Sequence, residues 1–538
     1  MLLCITIFCS ARVAEAQATP VRVADAACAK CHKDIYTKYL ATPMANASGL
    51  AEEKLKPGVF AHVSAGTDYA LSLKDGKAVL SSSDGRDGGS KSEVTLDYFL
   101  GSGHLGTTYI YSIDKFLFES PVAWYAATKS YDMKPGLAEM KQAPPSLPME
   151  SSCLRCHMSA VQASDRGTIN RYSGLPFLHT GITCEVCHGN AERHIAKGDV
   201  TGVVNPAHLN ADQRDSICIS CHLEGDVTVA RAGRSALKFV PGESISNYLS
   251  YYVYRGESLT QRGVSEVEQL TQSTCKKASG DKMSCTSCHD PHFTPNAAQR
   301  TAFYRSKCLS CHSEPQFAAA HHTENQDCTS CHMRRTGSEN IPHVAWTDHR
   351  ILRLPEIEKP AQSEVQKQTL VPIFSPGATS RDLAMAYYKA MLAGNPALEP
   401  EAWRQLSAQR DTLTTDTKAL DALGNMSAER RQSTEAEALF RQVLAIDPDN
   451  LTSLSNLSTL LARQGKLKDA IALLSKAFDR NQNISGLAMN LARVECAAGD
   501  AGAVRRALEK TLVYNPHLQS VDRLMTQLSD CAVSSGKQ

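Results

Sequence analysis

No charge of either sign dominates this 538-residue chain, in which 57 Lys and Arg face 56 Asp and Glu for a formal net charge of +1. Without a basic excess or a long basic run, nucleic acid is not an expected partner. Past the first few residues the sequence also lacks any apolar run near the ~20 residues that would span a bilayer, so no integral membrane span is expected. Gly and Pro, at 32 and 23 residues, are too few and too scattered for a collagen-like or disordered chain. At 58.4 kDa the chain exceeds what one hydrophobic core usually organises, which predicts two or three domains. What the sequence does have is 19 cysteines, a number that a chain this long does not need as staples.

Fourteen of them form seven Cys-x-x-Cys pairs, and each pair is followed directly by histidine. In order these are Cys28, Cys31 and His32; Cys153, Cys156 and His157; Cys184, Cys187 and His188; Cys218, Cys221 and His222; Cys285, Cys288 and His289; Cys308, Cys311 and His312; and Cys328, Cys331 and His332. Zinc ribbons and thioredoxin-like pairs also use Cys-x-x-Cys, but neither requires the histidine. With only 18 histidines in the chain, chance does not fill that position seven times. The spacing suits covalent attachment of c-type haem: two thiols one helical turn apart add to the vinyl groups, and the next residue offers an imidazole to the iron. Seven covalently bound c-type haems are therefore expected. Each ferric haem with two axial histidines and two ionised propionates carries about −1, which would take the loaded chain to roughly −6.

An iron with histidine on both faces can pass electrons but has no open position for a substrate. Spare histidines thus bear on function. Outside the motifs, residues 33–349 hold His62, His104, His179, His194, His208, His292, His321, His322, His343 and His349. As second ligands His62, His104, His194, His292, His343 and His349 are preferred, His321 and His322 stay open as alternatives, and His179 and His208 are weaker. His292 lies too near His289 in sequence to reach the far side of the same haem, so as a ligand it would serve a neighbour.

The chain opens MLLCITIFCSARVAEAQATP, a short apolar stretch followed by Ala-x-Ala patterns. Residues 1–18 read as a signal peptide, shortened at its start since no Lys or Arg precedes the apolar run. Export agrees with covalent haem, and the expected location is periplasmic or otherwise secreted. Residues 19–350 are expected to form a heptahaem cytochrome c domain. Its first motif stands well apart from the other six, and the gap contains TDYALSLKDGKAVLSS, which alternates, and GTTYIYSIDKFLFESPVAWY, which reads as a hairpin turning near Ile113 to Lys115. A small β insertion is expected at about 58–125. Within it Gly101-Ser-Gly103-His104-Leu-Gly106 has the letters of a dinucleotide fingerprint. A true fingerprint opens a helix, whereas TTYIYS follows here, so nicotinamide or flavin binding is rejected in favour of a glycine-rich turn.

Residues 351–380, with Pro355, Pro360, Pro372 and Pro376, read as a linker. From 381 to 538 a 34-residue repeat aligns from Thr417, Leu451 and Ser485. Its seventh and eighth positions are Leu423-Gly424, Leu457-Ser458 and Leu491-Ala492. The twentieth are Ala436, Ala470 and Val504, and the twenty-fourth Phe440, Leu474 and Leu508. Small residues that let helices cross and large ones that fill the seam are the tetratricopeptide pattern, and a partial copy begins near Asp382. The predicted fold is mainly α: a multihaem cytochrome c domain with a small β insertion, then a tetratricopeptide α-solenoid.

GITCEVCHG with His194 after it, CTSCHDPHF, and CTSCHMRR followed by TDHRI resemble the multihaem cytochrome c superfamily of hydroxylamine oxidoreductase, pentahaem nitrite reductase and the tetrahaem carrier serving hydroxylamine oxidoreductase. The whole chain is similar to bacterial multihaem cytochromes fused to C-terminal tetratricopeptide repeats. The resemblance implies that His292, in CxxCHxPH, ligates a different haem from that of its own motif. Two departures are visible: Gly189 is followed by Asn190 and Ala191 where relatives often read CHGPG, and the lysine-ending motif of the nitrite reductase active site is absent. The leading expectation is a carrier relaying electrons between redox partner proteins docked through the repeats. The alternatives are an oxidoreductase with one open haem acting on a small nitrogen or sulfur compound, and a structural or sensory assembly. Cys275, Cys496 and Cys531 have no role in this scheme.

Overall fold

The computed structural model describes residues 25–85, 91–255, 262–314, 326–338, 341–353, 368–374 and 378–518, together with Val521 and Cys531. The expected signal peptide, His321, His322 and most of the linker lie outside the described residues.

Between the first and second motifs the chain builds antiparallel sheet. Strands β1 (Ser48–Leu50), β2 (Gly58–His62), β3 (Thr67–Lys74), β4 (Lys77–Asp84), β5 (Lys91–Thr95), β6 (Tyr98–Leu100), β7 (Gly106–Ile113), β8 (Phe116–Glu119), β9 (Val122–Tyr125), β10 (Ser130–Met133) and β11 (Leu147–Pro148) follow one another. The sequence β2-β3-β4-β5 makes one meander, and β1-β6-β7-β8-β11, with β9 and β10 branching from β7, makes a second sheet. The alternation seen in the sequence is the reason: Thr67, Tyr69 and Leu71 of β3 are buried while Asp68 points out. β7 and β8 turn at Asp114 and Lys115, both left-handed at φ 49° and 70°, the geometry that matches the twist of a two-residue hairpin. Tyr69, Leu71, Phe99, Tyr109, Phe118 and Met133 fill the core, each stabilising by ~1.5–3 kcal/mol. Sheet thus runs from 48 to 148, wider than the insertion predicted at about 58–125, and "mainly α" must be corrected to a helical protein with substantial sheet. The glycine-rich GSGHLG segment leads into strand β7 and not a helix; a Cβ at Gly101 would lie 2.5 Å from the Gly106 carbonyl oxygen.

Between Tyr254 and Val344 no apolar side chain among the described residues is buried. The helix Ala297–Leu309, thirteen residues long, buries none of them. Part of the expected linker is strand: Leu370–Pro372 pairs with Leu249–Tyr254, which itself pairs with Val227–Ala230. Leu370 is buried and its amide donates to the Tyr387 hydroxyl, so burial overrides the loose composition around it.

Four helix pairs follow among the described residues: Ser380–Leu392 with Glu399–Ser407, Thr417–Glu429 with Ser433–Ile446, Leu451–Arg463 with Leu467–Arg480, and Ser485–Ala497 with Ala501–Leu512. Asp416 and Asn450 cap the second and third pairs by accepting from the Ala419 and Ser453 amides. Gly424 is needed where it stands, because a Cβ there would meet the buried Phe440 ring at 2.8 Å. Asp382, buried at the start of the first pair, accepts from Arg231 at 2.8 Å, Arg381 at 3.2 Å and Ser250 at 3.2 Å, and so ties the repeats to the strand-bearing half. No helix among the described residues is long and apolar enough to cross a membrane.

Cys496 and Cys531 form a disulfide across 35 residues. Closing a loop of that size removes enough unfolded-state entropy to stabilise by about 3–4 kcal/mol. Cys531→Ser is therefore expected to lower the melting point of the repeat domain, measured by thermal denaturation without reductant; an unchanged melt would contradict the bond.

Candidate haem-binding sites

Each motif lies on one turn of helix. The His32, His289 and His312 amides bond back to the carbonyls of Cys28, Cys285 and Cys308 at 2.9, 3.0 and 3.0 Å. Cys184–His188 and Cys328–His332 are each a single helical turn, and Cys218, Cys221 and His222 close the helix Ala211–His222. Cys153 lies in the helix Ser151–Leu154, and the His157 amide continues it onto the Leu154 carbonyl at 2.9 Å. Positions i, i+3 and i+4 share a face, so both thiols and the imidazole of a motif project together.

Three motif histidines face a second imidazole. Ring centres are 6.2 Å apart for His32 and His194, 5.9 Å for His188 and His292, and 6.3 Å for His289 and His349. Two imidazoles bound through Nε2 at about 2 Å on opposite sides of one metal ion hold their centres about 6 Å apart. The separations fit an iron between each pair.

The tautomers agree. Nδ1 of His188 donates to the Val204 carbonyl at 2.8 Å, that of His349 to Thr347 at 2.8 Å, that of His332 to Leu352 at 2.7 Å, and that of His194 to the Asp199 carbonyl. An N–H held this way leaves the Nε2 lone pair for a metal and fixes the ring's orientation. Burial, with His349 and His222 nearby, lowers the pKa of His289 to about 4. Burial and then the neighbouring His188 lower that of His292 as well. Both rings are therefore neutral at pH 7, as ligands must be.

The remaining preferred histidines are placed differently. His62 is buried and uses Nε2 on the Ala138 carbonyl at 3.0 Å. His343 places Nε2 2.7 Å from Asp132 and packs against Tyr125. In this structure both thus bond to protein through Nε2, and neither faces a motif histidine. His104 is exposed beside a cleft lined by Lys54, Lys56 and Thr107. His179 sits in a two-residue strand after the second motif, and His208 ends a short 3-10 turn.

Thiols of different motifs also meet. Cys28 lies beside Cys184, Cys156 beside Cys221, Cys218 beside Cys285, and Cys308 beside Cys328. Cys187 lies near Cys221, and Cys288 near Cys311. All seven motifs are therefore contiguous: the first adjoins the third, the third the fourth, the fourth both the second and the fifth, and the fifth leads through the sixth to the seventh. The lack of a protein core among the described residues around the fifth to seventh motifs, together with the donor sets, fits haem as the group that these side chains enclose. Sequence reasoning could name the histidines but not their pairing, since His32 and His194 are 162 positions apart.

Comparison with known proteins agrees with this chemistry. Residues 123–189 match the family model of cytochrome c554 and c-prime, and residues 278–317 match that of the doubled CXXCH motif. Residues 428–486 match a tetratricopeptide repeat. No curated protein matches the chain. Among solved structures it is similar to a MamA protein at 14% identity, over 29% of this chain and 85% of that one with a TM-score of 0.26. It is similar also to MamA AMB-1 at 18% identity, over 30% and 91% with a TM-score of 0.26. This chain thus carries a cytochrome c554 domain and a paired multihaem cytochrome c motif joined to tetratricopeptide repeats, and its cofactor is covalently bound c-type haem.

Proposed function

We propose that this protein is a periplasmic or otherwise secreted heptahaem cytochrome of the hydroxylamine oxidoreductase and tetrahaem carrier superfamily, which relays electrons between redox partner proteins. Haem supplies reversible one-electron chemistry at each motif. The fourteen motif thiols would anchor the macrocycles, and His32, His157, His188, His222, His289, His312 and His332 would bind iron from the motif side. His194, His292 and His349 would close the opposite faces of the first, third and fifth sites. Their Nδ1 carbonyl partners hold two of these rings, those of His194 and His349, in the ligating tautomer. Contiguous sites give electrons a continuous path, and the repeats offer surface for docking a partner.

The single observation that carries this reading is the set of three histidine pairs at 5.9–6.3 Å. Sites closed on both faces transfer electrons without binding substrate. Electron paramagnetic resonance of the oxidised protein tests it: low-spin signals from at least three haems are expected. A dominant high-spin signal perturbed by nitrite or hydroxylamine would move the assignment to an enzyme.

A further inference from the structure

The loops between helix pairs present equivalent residues to the cytochrome half, most of them to the segment 146–170. Position 31 of the 34-residue repeat is Asp447, Asn481 and Asn515, and position 33 is Asp449, Asn483 and His517. Asp447 accepts from Arg166 at 3.0 Å, and Asp449 lies 3.6 Å from the same guanidinium. Asn481 donates to the Gly167 carbonyl at 2.8 Å and Asn483 to Asn170 Oδ1 at 2.9 Å. Asn515 accepts from the Ser146 amide at 2.9 Å, and His517 Nε2 is 2.8 Å from the Ser82 hydroxyl. Position 30 joins in: Arg480 donates to the Arg166 carbonyl at 3.0 Å, and Tyr514 donates to Asp114 at 3.0 Å with its ring against Phe116 and Phe118.

Asn170, Asn481, Asn483 and Asn515 are all buried, at 0–4% exposure. Buried amides are costly unless they are bonded, so their use here fixes register. The segment they hold brackets the second motif: Ser146 precedes Cys153, and Arg166–Asn170 follows His157. Asn170 is in turn bonded to β8 through Leu117 in both directions, at 2.6 and 2.9 Å. Met149, Leu154, Met158 and Tyr172 form one core cluster between these anchor points.

We infer that this periodic loop edge is an intramolecular clasp whose partner is the segment 146–170, so that the repeats position the second CxxCH turn. Any external protein must then be received on another face of the repeats. The spectroscopic arm of the test rests on the haem reading above; the exchange arm does not.

Full-length holoprotein carrying Asn483→Ala with Asn515→Ala is compared with wild type by hydrogen-exchange mass spectrometry. Exchange in residues 146–172 is expected to rise at least tenfold while residues 328–338 stay unchanged. Arg166→Ala, at an exposed position that leaves the fold intact, should raise it a few-fold in the same segment. Haem count by denatured mass should not change, whereas the midpoint potential of one haem should move. Unaltered exchange in 146–172, in either variant, or an equal rise everywhere, would overturn the clasp. A haem-free peptide containing Cys153 would instead refute the haem reading at that motif and leave the exchange result to decide the clasp.

Discussion

Replacing His292 with alanine is expected to turn one low-spin haem of the oxidised protein high-spin without changing the number of haems bound. The reason is local. His292 faces His188 at 5.9 Å, belongs to the turn Asp290–Phe293 and is only partly buried, so its loss leaves the core in place. On the reading proposed above, the thioethers of Cys184 and Cys187 and the His188 ligand would remain. Axial ligation spans ~0.8 V across haem proteins, and loss of one imidazole should shift that site's potential on the order of 0.1 V. His349→Ala should do the same at the fifth motif. His343→Ala is the control, because its Nε2 is bonded to Asp132. Paramagnetic resonance and a redox titration read all three, and an unchanged spectrum for His292→Ala would break the assignment of that pair.

Asp382→Ala is expected to destabilise the junction between the two halves by about 3–5 kcal/mol, the range for removing one partner of a buried ion pair. Asp382 is 1% exposed, receives two guanidinium groups and the Ser250 hydroxyl, and closes the cap of helix Ser380–Leu392 with Thr379. Removing it leaves Arg231 desolvated without its carboxylate. Asp382→Asn, which keeps an acceptor, should cost less. Denaturant unfolding followed by helix content reads both; a loss under about 1 kcal/mol for the alanine variant would contradict the role given to this cluster.

Much of the chemistry was legible because it demands fixed letters at fixed spacing. The letters Cys-x-x-Cys-His stand in the sequence seven times, and close helix crossing leaves small residues at Gly424, Ser458 and Ala492, 34 positions apart. The hairpin at Asp114 and Lys115 was readable from the alternation on either side of it. Less visible were β1 and β11, of three and two residues, too short to carry a period. His343 and His349 lie six residues apart in sequence, yet the Asp132 that His343 bonds is over 200 positions away. Leu370–Pro372 looked like linker because its partner strand and the Tyr387 hydroxyl are supplied by other segments. Pairing Cys496 with Cys531, and aligning Asn481 and Asn515 on a distant loop, likewise require the third dimension.

Covalent haem on all seven motifs is tested most directly by the mass of the denatured, purified protein together with the reduced pyridine spectrum of its pigment. The polypeptide plus seven haems is expected, with the band of a haem whose vinyl groups are both saturated. The mass of bare polypeptide, or a pigment that acid-acetone extracts from the chain, would contradict it.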